Sequence, residues 1–389
     1  MYMGPGGSFT QSFGDGAENI RPEGMRQLME TAGLILGRGD WRYLAHSIPA
    51  YRGDNWIDVV PGERRPPNWF QVSPGVVRPQ TFIRRALRGK VPVEPPAGGL
   101  PPSKIFRGTG QAALNTDMAD GSRNVQVQFR SSPLGTISHM HCDQNGFLIS
   151  AFGSRLAIHA GFRPWYGSEY CKNYYWTSKA QNTILVDGEG QVNRSLDAVG
   201  RITGYAFGDS IDIIVGEASE AYGGRLDLYR RAIVFVKPDL VVVADHLIAP
   251  RPREYTWQLH TPSPLTEAGG GSYTTVNGEA AMRVTFIEPA GLRISLTSGD
   301  PVEPELPAPY EPQWHLAATT ERANEARIVS LLQIGQGSAP ERAEAALEGG
   351  VLTLSAAGRS VSVTGLFDNI SVSLTGDNWS ETLALGSDK

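Results

Sequence analysis

The chain has little cysteine, no long apolar run and no strong bias of charge, and each shortage narrows its class. Two cysteines in 389 residues, Cys142 and Cys171, are too few to define a disulfide framework, and they leave the redox compartment open. No stretch of about 18 apolar residues occurs, so no membrane-spanning helix is expected. The net charge is -5 and the basic residues are scattered, which argues against nucleic acid as a partner. An acidic polymer is still admitted through a local cluster of Arg and Lys, because net charge governs encounter and solubility more than it governs one cleft. The opening residues Met1-Tyr2-Met3-Gly4-Pro5-Gly6-Gly7 offer neither the basic nor the apolar stretch of a signal peptide.

Glycine (45) and proline (27), by contrast, are plentiful. With that composition, a chain long enough to bury a core without staples is expected to use many short strands and turns. Helical spacing is confined to the N-terminal part. Met25, Leu28, Met29, Ala32, Ile35 and Leu36 repeat on one helical face between Pro22 and Gly37. Asp40 is placed to cap a second short helix containing Trp41, Tyr43 and Leu44, and a third candidate runs from Pro79 to Leu87. So few helices cannot close a core alone. The proline doublets between Pro61 and Pro102 predict a stiff linker.

From about Ile105 onward strand signals recur. Val125–Phe129, Phe147–Phe152, Arg155–His159, Thr183–Val186, Ile211–Val215, Ala232–Val236, Leu240–Ala244 and Val351–Leu354 are short, β-prone and bounded by turn residues. Lys237-Pro238-Asp239 is a turn between two of them. The economical architecture is a large antiparallel β-sandwich.

One stretch concentrates chemistry. Between Ser131 and Gln191 lie His139, His141, His159, both cysteines and Tyr166, Tyr170, Tyr174 and Tyr175. On a strand, His139 and His141 would share a face, able to hold a metal together or to present one ring to a substrate while the other is fixed. His159 can complete a three-ligand zinc site. An ordinary solvated strand carries the same pattern. Cys142, on the opposite face, reads as a core filler, and Asp143 and Asn145 as residues that orient the pair or hold the turn. Asp187-Gly188 and Glu189-Gly190 read as hairpin turns rather than as a carboxylate pair. His46, His246, His260 and His315 are taken as structural.

Three ordered blocks give these residues a family context. Ser131-Ser132-Pro133-Leu134-Gly135-Thr136-Ile137-Ser138-His139-Met140-His141-Cys142-Asp143-Gln144-Asn145, Gly161-Phe162-Arg163-Pro164-Trp165-Tyr166-Gly167-Ser168 and Lys179-Ala180-Gln181-Asn182-Thr183-Ile184-Leu185-Val186-Asp187-Gly188 resemble the heparinase II/III-type polysaccharide lyases, including their oligoalginate lyase relatives. Asp245-His246 and Trp257-Gln258-Leu259-His260 resemble two later strand motifs of the same domain.

The resemblance implies a mainly β chain, with a large antiparallel β-sandwich domain over 96–389 preceded over 1–95 by a short helical remnant of an (α/α) toroid and a Pro-rich linker. It implies β-elimination on a uronic-acid-containing glycan, an acidic poly- or oligosaccharide as partner, and a periplasmic or secreted location. By position, His139 matches the family's substrate-facing histidine and His141 a ligand of its structural zinc. His159 stands where several members have an Asp ligand, and Gln181 where a His is usual, a poor exchange for zinc. Tyr166 is the first choice for a tyrosine in the cleft, with Tyr170, Tyr174 and Tyr175 as competitors. Arg163 and Lys172 are candidates to hold a uronate carboxylate, Arg163 by a bidentate pair. The principal catalytic tyrosine of the family, with an Asn or His, comes from the toroid and finds no confident match, so the sequence is expected to be incomplete as an enzyme. A non-catalytic glycan-binding module and a structural β-sandwich are the alternatives.

Overall fold

A computed structural model of the chain describes Phe13 and residues 22–47, 86–87, 89–97, 99–118, 120–308 and 310–386. These fall into two compact units: one holds the two helices, the described residues up to Pro101 and the short segment Met118–Gly121, and the other holds Phe13, Pro102–Asp117 and the chain from Ser122 onward, with every strand.

In the first unit, α1 (Pro22–Leu36) and α2 (Gly39–Ser47) occur where the sequence predicts them. Gly33 lets them meet, since a Cβ there would lie 2.9 Å from the Arg38 carbonyl oxygen. Buried Arg42 donates from Nη2 to Glu30 Oε1 at 2.8 Å. The apolar face of α1 is not its buried face: Leu28, Ile35 and Leu36 are exposed, whereas Glu30, Thr31 and Leu34 are buried. The periodicity located the helix, and the buried ion pair with Arg42 decided which side turned inward. Of the third candidate, only Ala86 and Leu87 are described, and they are helical; Pro79 to Arg85 lies outside the described residues, as does most of the proline-rich segment.

The second unit is mainly β and antiparallel throughout. Strands β1 (Lys104–Phe106), β2 (Gln111–Asn115), β3 (Val125–Arg130), β4 (Gly146–Ala151) and β5 (Ser154–Ala157) form a five-stranded meander. Next come β6 (Ile184–Val186), β7 (Arg201–Phe207), β8 (Ile211–Glu217), β9 (Leu228–Val236), β10 (Leu240–Arg253) and β11 (Tyr255–Thr261). They are followed by β12 (Thr266–Glu267), β13 (Ser272–Asn277), β14 (Ala280–Glu288), β15 (Arg293–Ser298), β16 (Trp314–Thr319) and β17 (Ala323–Gln336). The central sheet has eight strands in the order β12-β13-β14-β17-β10-β9-β8-β7, and β15-β16-β11-β6 make a sheet of four. The chain ends in a second five-stranded meander of β18 (Glu344–Glu348), β19 (Val351–Ala356), β20 (Arg359–Thr364), β21 (Ser371–Gly376) and β22 (Trp379–Ala384).

The sandwich has three layers, and side-chain alternation shows why. In β10, Val241 and Val243 join the core shared with the first meander and the four-stranded sheet, whereas Leu240, Val242 and Ala244 join the core shared with the last meander. In β9, Ile233 and Phe235 likewise oppose Val234 and Val236. A strand covered on both faces must be apolar at every position, hence the unbroken runs Ala232–Val236 and Leu240–Ala244. The last meander covers one face only, and β19 alternates buried Leu352 and Leu354 with exposed Thr353 and Ser355.

Candidate active site

Three connections carry the site: 131–145 between β3 and β4, 158–183 between β5 and β6, and 187–200 between β6 and β7. Backbone and amide hydrogen bonds stitch them together. Cys142 N donates to Trp176 O at 2.9 Å, Ser178 Oγ to Cys142 O at 2.7 Å and Thr136 N to Ser195 O at 2.9 Å. Gln144 and Gln191 exchange bonds, N to Oε1 at 2.9 Å and Nε2 to O at 2.8 Å. Gly161 turns the second connection at φ 82°, where a Cβ would lie 2.7 Å from Tyr170 Oη.

His139-Met140-His141 is not a strand. Ser138 takes φ 58° and Met140 N donates to Ile137 O at 3.0 Å, so the segment is a turn. The expected common face is therefore lost: His139 is exposed and His141 is fully buried. A period-two argument holds only for extended backbone, and the left-handed Ser138 breaks it.

At the surface, the His139 and Tyr166 rings lie 5.5 Å apart, centroid to centroid, and Tyr166 is 51% exposed. Arg163 Nη1 approaches His139 Nδ1 at 3.5 Å. Arg194, which sequence reasoning missed, donates to Tyr166 Oη from Nη1 and Nη2 at 3.2 and 3.3 Å and stacks over Trp176 at 4.3 Å. The structure thus brings together His139, Tyr166 and Arg163. Lys172 is engaged elsewhere, donating to Glu169 Oε1 at 2.7 Å. That exposed i,i+3 pair satisfies the charge locally.

The competing tyrosines are inside. Tyr170 Oη donates to Asp300 Oδ2 at 2.7 Å. Burial, reinforced by the neighbouring Asp300 carboxyl, pushes both Tyr170 and Tyr174 far above the ordinary phenol range. Neither phenol can serve as a base near neutral pH. Tyr175 is buried and stacked on His159 at 4.7 Å, which makes it packing material.

Below the surface, the three candidate metal ligands do gather. His141 and His159 meet edge to face at 4.5 Å, and Gln181 Nε2 lies 3.3 Å from His141 Nδ1. Two imidazoles and one carboxamide are nevertheless two strong donors short of a closed zinc site. Among the described residues no group of three or more His, Cys, Asp or Glu side chains is placed to hold a metal. The residues present do not fit a structural zinc; they fit a hydrogen-bonded layer under the site, with Gln181 Nε2 also reaching Tyr175 O at 3.4 Å.

Most other block residues are buried scaffold. Asp143 pairs with Arg130. Asn145 Nδ2 donates to Tyr229 O at 3.1 Å, and Asn182 Nδ2 to Phe147 O and Ile158 O, both at 2.9 Å. Arg231 donates to Asp245 through Nε at 2.6 Å and Nη2 at 2.9 Å, and its Nη1 serves the carbonyls of Asn145 and Asn182 at 2.8 and 2.7 Å. The Asp245 block is thus tied to the histidine block through one buried guanidinium. Cys142 is buried, and desolvation pushes its thiol up to about 12, as befits a core filler. Asp187 and Gly188 form the expected hairpin turn at φ 52° and 78°, closed by Val186 N to Glu189 O at 2.8 Å. His46, His246, His260 and His315 each have a structural partner in Glu30, Glu325, Asn182 and Gly299 O respectively.

The family model described as "Heparinase II/III-like, C-terminal" matches residues 98–362. The chain belongs to the heparinase II/III-like family. Two solved structures share its fold at TM-score 0.65 and 13% identity over 98% of this chain: the BT4657 gene product, titled heparinase III, and the heparan sulfate lyase HepC from Pedobacter heparinus. The heparinase II/III-like chain described here spans 50% of the length of each. No curated protein sequence matches it. Among the described residues, no helix is long and apolar enough to cross a membrane.

Proposed function

We propose that this chain contributes the sandwich-borne part of a polysaccharide lyase site that cleaves a uronic-acid-containing glycan by β-elimination. The observation that carries the reading is the exposed pair His139 and Tyr166, 5.5 Å apart, with a guanidinium beside each. The reaction takes the proton from C5, forms the C4–C5 double bond and breaks the C4–O bond, with a proton delivered to the departing oxygen. It needs a base, an acid and positive charge near the uronate carboxylate, because abstraction builds negative charge on a group already charged. His139 and Tyr166 are suited to the two proton transfers and Arg163 to the carboxylate. Family membership supports the reaction class. A polymer of this kind is met outside the cytoplasm, so a periplasmic or secreted location belongs to the same proposal.

The test is ultraviolet absorbance from the unsaturated product when this chain, joined to the toroid half that the family's site requires, is incubated with heparan sulfate, alginate or other uronans. A rise that disappears in H139A is the expected result. The second reading, a glycan-binding module without turnover, draws on the half-length match to the solved lyases. Retention of acidic glycan in affinity electrophoresis without any absorbance would establish it and overturn the lyase.

A further inference from the structure

Arg194 is built into the site in a way that its local sequence does not announce. It sits in the left-handed region at φ 53°, on the connection that pairs with the histidine loop through Thr136 and Ser195. Its guanidinium lies 4.3 Å over the Trp176 ring and 5.4 Å from the Tyr166 ring centre, and both Nη atoms point at Tyr166 Oη. Several other cations on this unit are neutralised by carboxylates: Lys172 by Glu169, Arg201 by Glu220 and Arg253 by Asp187. Arg194 is exposed and has no carboxylate partner among the described residues. A guanidinium carries five N–H donors in a fixed fork, so two directed at one phenol oxygen leave further donors for another acceptor. Stacking fixes its plane before any ligand arrives, which lowers the entropic cost of a planar or tetrahedral oxyanion docking on the edge.

The surroundings suit a sugar. The two joined loops expose Leu134, Ile137, Val192 and Leu196, and Trp165 beside Tyr166 is 47% exposed. Apolar surface around a few convergent polar groups is the usual composition of a small-ligand site, and it complements the C–H faces of pyranose rings.

We propose that Arg194 is the specificity-determining residue of this site: it takes the carboxylate or sulfate group of an acidic sugar on its free edge while holding the Tyr166 phenol beside His139. The inference rests on the reading of this surface as a glycan site. It does not require that the glycan be cleaved.

The experiment is titration calorimetry of the whole protein with three oligosaccharide sets: sulfated, uronate-only, and carboxyl-reduced and desulfated. R194A is expected to weaken binding of the acidic sets tenfold or more, to leave the neutral set unchanged and to reduce the slope of log affinity against log salt by about one for the lost charge contact. R194K should restore the salt slope but less than half of the lost binding free energy, because an ammonium keeps the charge and loses the fork. A loss confined to sulfated ligands assigns the group as sulfate; an equal loss with uronate-only ligands assigns it as carboxylate. Unchanged affinity in R194A, equal loss of neutral ligand, or no binding of acidic sugars by the unmutated protein overturns the proposal. Arg194-dependent binding without ultraviolet product leaves it standing and removes only the lyase reading.

Discussion

The surface layer of the loops that carry the site and the buried layer beneath them behave differently. The upper one, His139, Tyr166, Arg163 and Arg194, is exposed or half-buried, and its contacts run at 3.2 to 3.5 Å. The lower one, Arg231, Asp245, Asn145, Asn182, Gln144 and Gln191, is buried and held by bonds as short as 2.6 Å. Ser131–Asn145 and Lys179–Gly188 supply residues to the lower layer, and the first of these also supplies His139. The contrast teaches that a family signature need not be a list of catalytic groups: several of its residues here hold a buried polar network, where a group left unpaired is costly.

The sharpest break of that comparison is at Asp245. D245A leaves the Arg231 guanidinium buried without its counter-charge and should cost about 3–5 kcal/mol in denaturant unfolding; a loss below 1 kcal/mol would show that the lower layer is not what holds the loops. H139A and Y166F should do the reverse, lowering the rate of unsaturated product formation by about a hundredfold or more while the midpoint of denaturation stays where it was. Next in size is N182A, which strands the carbonyls of Phe147 and Ile158 and should cost about 1–3 kcal/mol, measured in the same unfolding experiment.

A smaller effect is expected from acid. Burial, followed by the nearby His315, holds His260 well below the ordinary histidine value of 6.5, and burial also lowers His315. Both groups therefore favour the folded state fully above that unfolded value, and the contribution is lost as pH falls below it. Thermal scans between about pH 7.5 and 5 should show a falling Tm, with H315Q flattening the fall; a Tm rising toward acid would contradict the assigned direction. The smallest expected effect is that of chelator. EDTA should leave Tm unchanged, since two imidazoles and Gln181 do not make a zinc site, and a drop reversed by added zinc would restore the metal reading.

Much of this is legible in the sequence alone. Strands showed because β-prone runs alternate with Gly, Pro and Asn turns, and the hairpin at Asp187-Gly188 showed because only such residues accept φ above zero cheaply. That His139, Tyr166 and Arg163 would lie close together was suggested by two neighbouring blocks, and the structure brings the three side chains to one surface. Arg194 was not suggested in this way, because nothing in Val192-Asn193-Arg194-Ser195 distinguishes it; its place beside Tyr166 comes from stacking on Trp176, eighteen positions earlier in the chain. The common face expected of His139 and His141, which requires extended backbone, is lost at Ser138, whose φ is 58°. Lys172, a candidate for the uronate carboxylate, pairs instead in this structure with Glu169 three residues before it, the partner that a helical turn supplies.

What the sequence determined unaided was the class of element along its most strongly patterned segments, because the period of apolar residues and the chemistry of turns act within a few residues. Whether a run of valines is covered on one face or two, and which imidazole meets solvent and which is sealed beneath it, depended on surfaces contributed by strands and loops far away along the chain. Those choices are made by burial and by the satisfaction of polar groups in three dimensions, and only the folded arrangement contains them.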